Sequence, residues 1–402
     1  MRIGIEAFRI FRRNKHGMDI VAQETVKRLQ YLDKLNTYFL FCFDDQEGYH
    51  LQESENFRII RIPRAPSPIV EQFLLPLLAL RYRIDLFHST GNTSPYFLPC
   101  KRLVTLHDII YLEKNDHLKG GSLYQRIGKQ YRRLIVPKIV RKADGLITVS
   151  QNEQQIILDR LPELQGRLTV VANAVSGHFM PKPAETTLSV SLKYKLPNQP
   201  FIFFLGNTDP KKNTVNVLKA YHRYILKYGH TLKLVIADIS RANVHRLIEK
   251  HQLTEIKEHV YLTNYVRHED MPDIYNRARL FLYPSLRESF GLPILEAMAC
   301  ETPVVTSGSH AMPETAGNAS LLVNPEDPSS IAEAIHIVHT DEATRHRLIQ
   351  LGKQRILDFN WNQSIQNLLK IYKAICDGES VKSVVIEPII RRNKKGQPVY
   401  TG

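Results

Sequence analysis

Two carboxylates, a glycine turn and a proline-led helix start fall within nine residues of this 402-residue chain, in the stretch ESFGLPILE from Glu288 to Glu296. The stretch follows the apolar run LFLY (280–283), so it reads as a loop between a strand and a helix. Gly291 lets the backbone pass close to a ligand. Pro293 suits the first helical turn, where its missing N–H costs nothing. The N–H groups of such a helix start favour an anion such as a phosphate. Glu288 in the loop and Glu296 early in the helix can border one pocket. Two carboxylates would repel a phosphate, so their expected targets are hydroxyls, which donate hydrogen bonds to ionised acids. An anion flanked by hydroxyls describes a sugar nucleotide. Each acid also has a plainer reading: Glu288 as a solvated loop acid, and Glu296 as a negative charge favoured at a helix N-terminus.

Lys211 and Lys212, in DPKKN, come shortly after the β-like run FIFFLG that ends in Gly206. Cations are mildly disfavoured at a helix start, so two adjacent lysines there suggest a diphosphate, which a lysine meets as a point charge. His107 and Asp108 follow the run RLVTL and so stand at the carboxyl end of a strand, where a lone histidine is ordinarily structural. The loop NKHGMD around Gly17 lies between the first strand and a helix, a place suited to approaching a phosphate. No D-x-D pair occurs in the sequence, which argues against a metal-bridged diphosphate.

Short apolar runs alternate with amphipathic stretches along the chain, which predicts an α/β fold of parallel sheets covered by helices, Rossmann-like in architecture. The interval MPKPAETTLSVSLKYKLPNQP (180–200), rich in Pro, Thr and Ser, reads as a linker, after which the alternation restarts. Two such halves would leave a cleft in which both grip one ligand.

ESFGLPILE resembles the E-x7-E motif of retaining glycosyltransferase family 4 (glycosyltransferases group 1), which has the GT-B fold. The segment from Pro303, PVVTSGSHAMPETAGNASLLVNPEDPSSIAEAI, is similar to the block that follows in that family, and FLGNTDPKKN to its glycine turn and basic segment. VTLHDIIYL, ADGLITVSQNE and VVANAV are similar to landmarks of its N-terminal domain, and FNWNQSIQNLL to its last helix. The likeness runs to about Ile375. It implies an acceptor-binding Rossmann-like domain over 1–185 and a nucleotide-sugar-binding one over 186–360. A terminal helix, 361–376, would return to the first domain, and a basic tail, 377–402, would follow. It further implies that Glu288 contacts the transferred sugar, Glu296 the nucleotide ribose, and the backbone of Phe290, Gly291 and Leu292 the sugar hydroxyls and phosphate. Gly17, Gly206, Lys211, Lys212, Tyr265 and Val266 would complete the donor site, with His107 and Asp108 near the reacting carbon. No metal and no cofactor are implied beyond the nucleotide diphosphate sugar. The favoured donor is GDP-mannose, with UDP-sugars the alternative, and the acceptor is a sugar or lipid-linked sugar in cell-surface polysaccharide synthesis. The family commonly has Arg directly after the glycine corresponding to Gly206; here Asn207 takes that place, with Lys211 the nearest substitute.

The chain carries a formal net charge of +14, which predicts an anionic partner. From Lys119 to Lys142 the basic residues are Lys119, Arg126, Lys129, Arg132, Arg133, Lys138, Arg141 and Lys142, with no acid among them. Leu123, Ile127, Tyr131, Leu134 and Ile135 recur there at helical spacing. A sheet-covering helix with its charges in water explains this pattern. The further reading is peripheral contact with an anionic membrane, each basic residue adding about 1 kcal/mol. Pro137 is expected to end or kink this helix. A sugar-nucleotide epimerase of similar shape and a nucleic-acid-binding protein remain as alternatives, though no nucleic-acid motif accompanies the basic stretch. No run reaches the roughly 18 to 20 apolar residues of a membrane-spanning helix. MRIGIEAF lacks the apolar core of a signal peptide, and Cys42, Cys100, Cys300 and Cys376 lie far apart. These features predict a cytoplasmic protein, peripheral at most on the inner membrane face.

Overall fold

The apolar runs become strands of two all-parallel sheets. A computed structural model describes residues 1–12, 15–44, 51–112 and 123–384. The first sheet contains β1 (Arg2–Glu6), β2 (Thr37–Phe43), β3 (Phe57–Ile62), β4 (Leu86–Ser89), β5 (Lys101–Thr105), β6 (Gly145–Thr148) and β7 (Leu168–Val170). Their order is β3-β2-β1-β4-β5-β6-β7. The second contains β8 (Phe201–Leu205), β9 (Lys233–Ala237), β10 (Val260–Asn264), β11 (Leu280–Tyr283), β12 (Val304–Ser307) and β13 (Ser320–Val323). Their order is β10-β9-β8-β11-β12-β13. Helices cover both faces of a parallel sheet, so its strands read as continuous apolar runs such as TYFLFCF and FIFFL. Each order reverses once, between β1 and β4 and between β8 and β11. Ligands of such sheets bind beyond the strand carboxyl ends at that reversal.

The chain divides into two compact units, Met1–Asn173 with the segment from Asn360, and Ala174–Phe359. The supposed linker is not one. Its turn Ala184–Thr187 and helix Leu188–Lys193 fold into the second unit, which therefore begins earlier than residue 186. Its polar side chains are engaged in tertiary bonds to the helix Met271–Arg277 and its N-cap. Lys193 Nζ lies 2.6 Å from Asp270, Arg277 donates to Thr187 Oγ1 at 3.1 Å, and the Lys182 amide donates to Asn276 Oδ1 at 2.8 Å. Pro137 does not end its helix, which runs from Leu123 to Lys142. Val136, Ile139 and Val140 around it are wholly buried, so packing carries the helix past the missing backbone bond. Lys119 of the basic stretch, and the tail beyond residue 384, lie outside the described residues.

The last helix, Trp361–Cys376, belongs to the first unit, where Ile365, Leu368, Ile371 and Ile375 join the core of β1 and β2. Ser364 Oγ donates to the Ala172 carbonyl at 2.8 Å. The Tyr372 hydroxyl lies 2.7 Å from His88 Nδ1, and Thr105 Oγ1 lies 2.8 Å from His88 Nε2. Burial, reinforced by His107, pushes the His88 pKa down to about 3. The folded chain thus refuses a proton that the unfolded chain accepts below its ordinary pKa of 6.5. Stability from this residue is complete above pH 6.5 and is lost progressively as pH falls towards 3. Between pH 6 and 5 the first unit should lose about 1 kcal/mol through His88 alone. His88→Gln, which cannot titrate, should flatten that part of the denaturant-stability profile; an unchanged slope would refute the assignment.

Candidate functional site

At the reversal of the second sheet, the loop after β11 is pinned along its length. The Leu286 amide donates to the Lys211 carbonyl at 2.7 Å, and Ser307 Oγ donates to the Ser285 carbonyl at 2.7 Å. The Thr315 hydroxyl donates to the Phe290 carbonyl, and the Phe290 ring stands edge-on to Phe359 at 5.6 Å. Gly291 then turns with φ +92° and ψ 43°, a left-handed conformation that glycine adopts without strain. A Cβ there would also lie 3.1 Å from Ile294 Cδ1. The helix Leu292–Ala299 starts directly after it, with Pro293 in the first turn.

Across the reversal, Gly206 follows β8, and a Cβ on it would come within 2.8 Å of the Phe204 ring and 2.9 Å of Ile236. Asn207 Oδ1 accepts the Asp209 amide at 2.8 Å, so this side chain is used in building the turn. The Asp209 carboxylate caps the Lys211 amide at 3.1 Å, opening the tight turn Pro210–Lys212. Asn213, left-handed at φ 63°, donates through Nδ2 to the carbonyls of Pro284 (2.9 Å) and Pro325 (2.6 Å). One buried amide therefore joins three loops.

These constraints bring Lys212 and Glu288 together. Lys212 Nζ lies 2.7 Å from Glu288 Oε1 and donates to the Tyr283 hydroxyl at 2.8 Å. The two charged side chains are only 18% and 15% exposed. Burial opposes ionisation of Glu288. The charges of Lys212 and Lys211, with hydrogen bonds from Lys212 and Tyr283, outweigh it and hold the carboxyl below its usual range. Tyr283 is pushed far above the ordinary phenol range by burial and then by Glu288. Lys211 Nζ stands 3.9 Å from Asp209. Further along the helix, Glu296 is buried, with Oε2 accepting from the Tyr275 hydroxyl at 3.2 Å and Oε1 3.4 Å from His268 Nε2. His268 belongs to the segment after β10 that also holds half-buried Tyr265 and buried Val266.

The first unit carries the other expected residues. His107 is buried after β5; its amide donates to Asn92 Oδ1 at 2.7 Å, and its Nε2 donates to the Thr90 carbonyl at 2.9 Å. Burial, despite that bond, lowers its pKa, so the ring is neutral with its proton on Nε2. Asp108 Oδ1 accepts the Ile110 amide at 3.3 Å and lies 3.5 Å from Asn92 Nδ2. Gly17 opens the helix Gly17–Leu32, and nothing lies within 4 Å of where its Cβ would be. Asp19 sits at that helix start, accepting the His16 amide at 3.1 Å, with Arg9 and Arg12 each 3.6 Å from its other oxygen.

Residues 11–176 match the family model described as Glycosyltransferase Family 4, and residues 192–355 match the model described as Glycosyl transferases group 1. The chain belongs to the group 1 glycosyltransferases. It is 27% identical over 380 residues to the O-antigen chain mannosyltransferase B of Escherichia coli, covering 89% of this chain and 96% of that protein. It is 25% identical to the Escherichia coli serotype-specific mannosyltransferase WbdA, covering 83% of this chain but only 41% of that longer protein. The crystal structure of Anabaena Alr3699/HepE in complex with UDP-glucose shares the fold, with a TM-score of 0.71 at 14% identity over 93% of this chain and all of that one.

In this glycosyltransferase the sequence reading named both acids and both lysines as candidates but missed the groups that hold them. Tyr283 reads as one more apolar strand residue in LFLY; its place at the last strand position before the loop was the available signal. Tyr275 and His268 come from a different helix and loop, and no local pattern ties them to Glu296. The arrangement can do two things chemically. It presents a partly buried ammonium, fixed by Glu288 and Tyr283, at the strand reversal. It also keeps a buried carboxylate, Glu296, with two donors setting its orientation, ready to accept hydroxyl protons.

Proposed function

We propose that this glycosyltransferase moves mannose from GDP-mannose to a sugar or lipid-linked acceptor, with retention of configuration and without a metal, in the synthesis of a cell-surface polysaccharide. The partly buried Lys212–Glu288–Tyr283 cluster at the sheet reversal is the observation that carries the donor site. Lys212 meets the diphosphate as it departs, Glu288 and the backbone around Gly291 take the sugar, and Glu296 takes the ribose hydroxyls. Preorganised charge in a site shielded from water stabilises a leaving group without reorganisation. In the front-face route, the acceptor oxygen bonds to the anomeric carbon on the face from which the phosphate oxygen leaves. The acceptor proton passes to that phosphate oxygen, so no protein base is consumed. By resemblance to the family, His107 and Asp108 are assigned to contact with the donor sugar. Mannose is favoured by the similarity to the Escherichia coli O-antigen mannosyltransferases, and the fold shared with a UDP-glucose-bound protein keeps UDP-sugars as the second choice. Among the described residues no helix is long and apolar enough to cross a membrane, so a lipid-linked acceptor would be met from the membrane surface.

Thermal shift in EDTA with GDP-mannose, GDP, UDP-glucose, UDP and ADP tests this reading. A ligand at 100 times its Kd stabilises the fold by about 2.7 kcal/mol, a rise of a few degrees for domains of this size. GDP and GDP-mannose should raise the melting temperature while the others do not. A response confined to UDP compounds would replace mannose. Conversion of the sugar to its epimer without acceptor would replace transfer.

A further inference from the structure

The helical segment 67–81 is apolar on two sides. Its inner face places Val70, Leu75 and Ala79 in the core beside Phe39, Phe41 and Phe87. Its outer face carries Ile69, Phe73, Leu77 and Leu80, each between 53% and 69% exposed. A helix covering a sheet needs one apolar face, and a polar outer face is the ordinary outcome. Four large apolar side chains recurring on the solvent side are therefore not required by the fold, and contiguous exposure of this kind marks an interaction site.

The segment's construction keeps that face apolar. Pro76 has no N–H for the Gln72 carbonyl, and a π-helical turn, Val70–Leu74, precedes it. Glu71, the segment's one acid, is drawn inward, accepting from Thr93 Oγ1 at 2.5 Å and the Tyr131 hydroxyl at 2.7 Å. Gln72 donates to the Tyr131 hydroxyl at 2.7 Å and accepts the Tyr96 amide at 2.8 Å. These bonds tie in two neighbouring elements with exposed apolar groups of their own. They are the helix Leu123–Lys142, with Ile127 and Leu134 on either side of Tyr131, and the loop carrying Phe97. Arg81 and Arg83 close the segment, and Lys138 and Lys142 are exposed on the second helix. Lys142 Nζ stands 3.7 Å over the Tyr96 ring and 4.8 Å from that of Phe97, an aromatic and cation pairing suited to a lipid interface.

We propose that this face docks on an anionic lipid surface, with Ile69, Phe73, Leu77 and Leu80 entering the headgroup–acyl boundary and Arg81, Arg83, Lys138 and Lys142 meeting lipid phosphates. The occupant is chosen by charge. A second copy would bring the same cations against one another, whereas anionic headgroups neutralise them. The inference rests on the proposed action at a lipid-linked acceptor and makes the apolar row the anchor, with the basic helix beside it as its electrostatic partner.

The test is co-sedimentation of the full chain with vesicles of phosphatidylcholine containing phosphatidylglycerol, and with phosphatidylcholine alone. The wild type should bind the anionic vesicles. Phe73→Glu with Leu77→Glu should lower partitioning at least about tenfold, and Phe73→Ser with Leu77→Ser should lower it in the same direction. Because both positions are exposed and outside the donor site, the variants should keep the wild-type melting temperature and its shift with GDP-mannose. Equal binding by wild type and variants, no binding by the wild type, or a wild-type dimer in lipid-free buffer that the variants abolish would each overturn the proposal. Vesicle binding without a nucleotide shift would instead count against the donor reading alone.

Discussion

Lys212→Ala is expected to lower kcat by ~10²–10³, the usual loss when one preorganised donor to a developing anion is removed. The ammonium is held 2.7 Å from Glu288 and 2.8 Å from the Tyr283 hydroxyl before any ligand arrives, so it needs little reordering as the diphosphate departs. The same geometry makes the variant unstable. Deleting one member of this partly buried ion pair strands the other charge, at a cost approaching the roughly 3–5 kcal/mol of a fully buried pair. In the wild type the Glu288 carboxyl titrates below its ordinary range. Its contribution is therefore present above the unfolded pKa of 4.5 and lost as pH falls through the folded value. Without Lys212, burial is opposed only by Lys211 and the Tyr283 hydrogen bond, and the carboxyl moves up. The penalty then grows as pH rises, and the stability gap between wild type and variant should widen from pH 4 to pH 7. Lys212→Ala combined with Glu288→Gln, compared with Glu288→Gln alone, separates the two effects. It should recover most of the lost stability while kcat stays low. Recovery of kcat together with stability would make Lys212 a structural lysine and sink its proposed role.

Glu296→Ala should weaken nucleotide binding by about 10- to 100-fold, because a hydrogen bond to a charged group is worth about 1.5–3 kcal/mol. Ribose hydroxyls stay unchanged as the sugar is transferred, so the bond is equally strong in ground and transition states. KM should therefore rise with kcat nearly constant, opposite in pattern to Lys212→Ala. The Tyr275 hydroxyl loses its acceptor in this variant, which adds a stability cost of about 1–3 kcal/mol. Glu296→Gln keeps an acceptor for Tyr275 and should spare the fold while still binding the nucleotide poorly. Calorimetric titration with GDP gives the affinities directly. Wild-type affinity in both variants would show that Glu296 is a helix-start charge serving stability only.

The sequence by itself determined the local parts. Continuous apolar runs fixed buried parallel strands, because strands covered on both faces have no solvent side to mark with polar residues. Gly291 and Pro293 marked the turn and helix start, since left-handed φ and a dispensable N–H are properties of single residues. Glu288, Glu296 and the lysine pair were legible because their spacing is carried within short segments. Tertiary structure alone decided the rest. Tyr283, Tyr275 and His268 acquire their roles from partners on other strands and helices, and chain periodicity holds no record of which loop meets which. The stretch 180–200 looked like a linker because polar content is the same whether side chains face water or the Met271–Arg277 helix. Asn207 spends its oxygen on the Asp209 amide, a choice made by the turn it closes. The row Ile69, Phe73, Leu77 and Leu80 shares one apolar stretch with Val70, Leu75 and Ala79, and apolar content shows that a face seeks to leave water and not what will cover it. Only the fold shows that the core is already filled by Val70, Leu75 and Ala79, leaving that row to solvent.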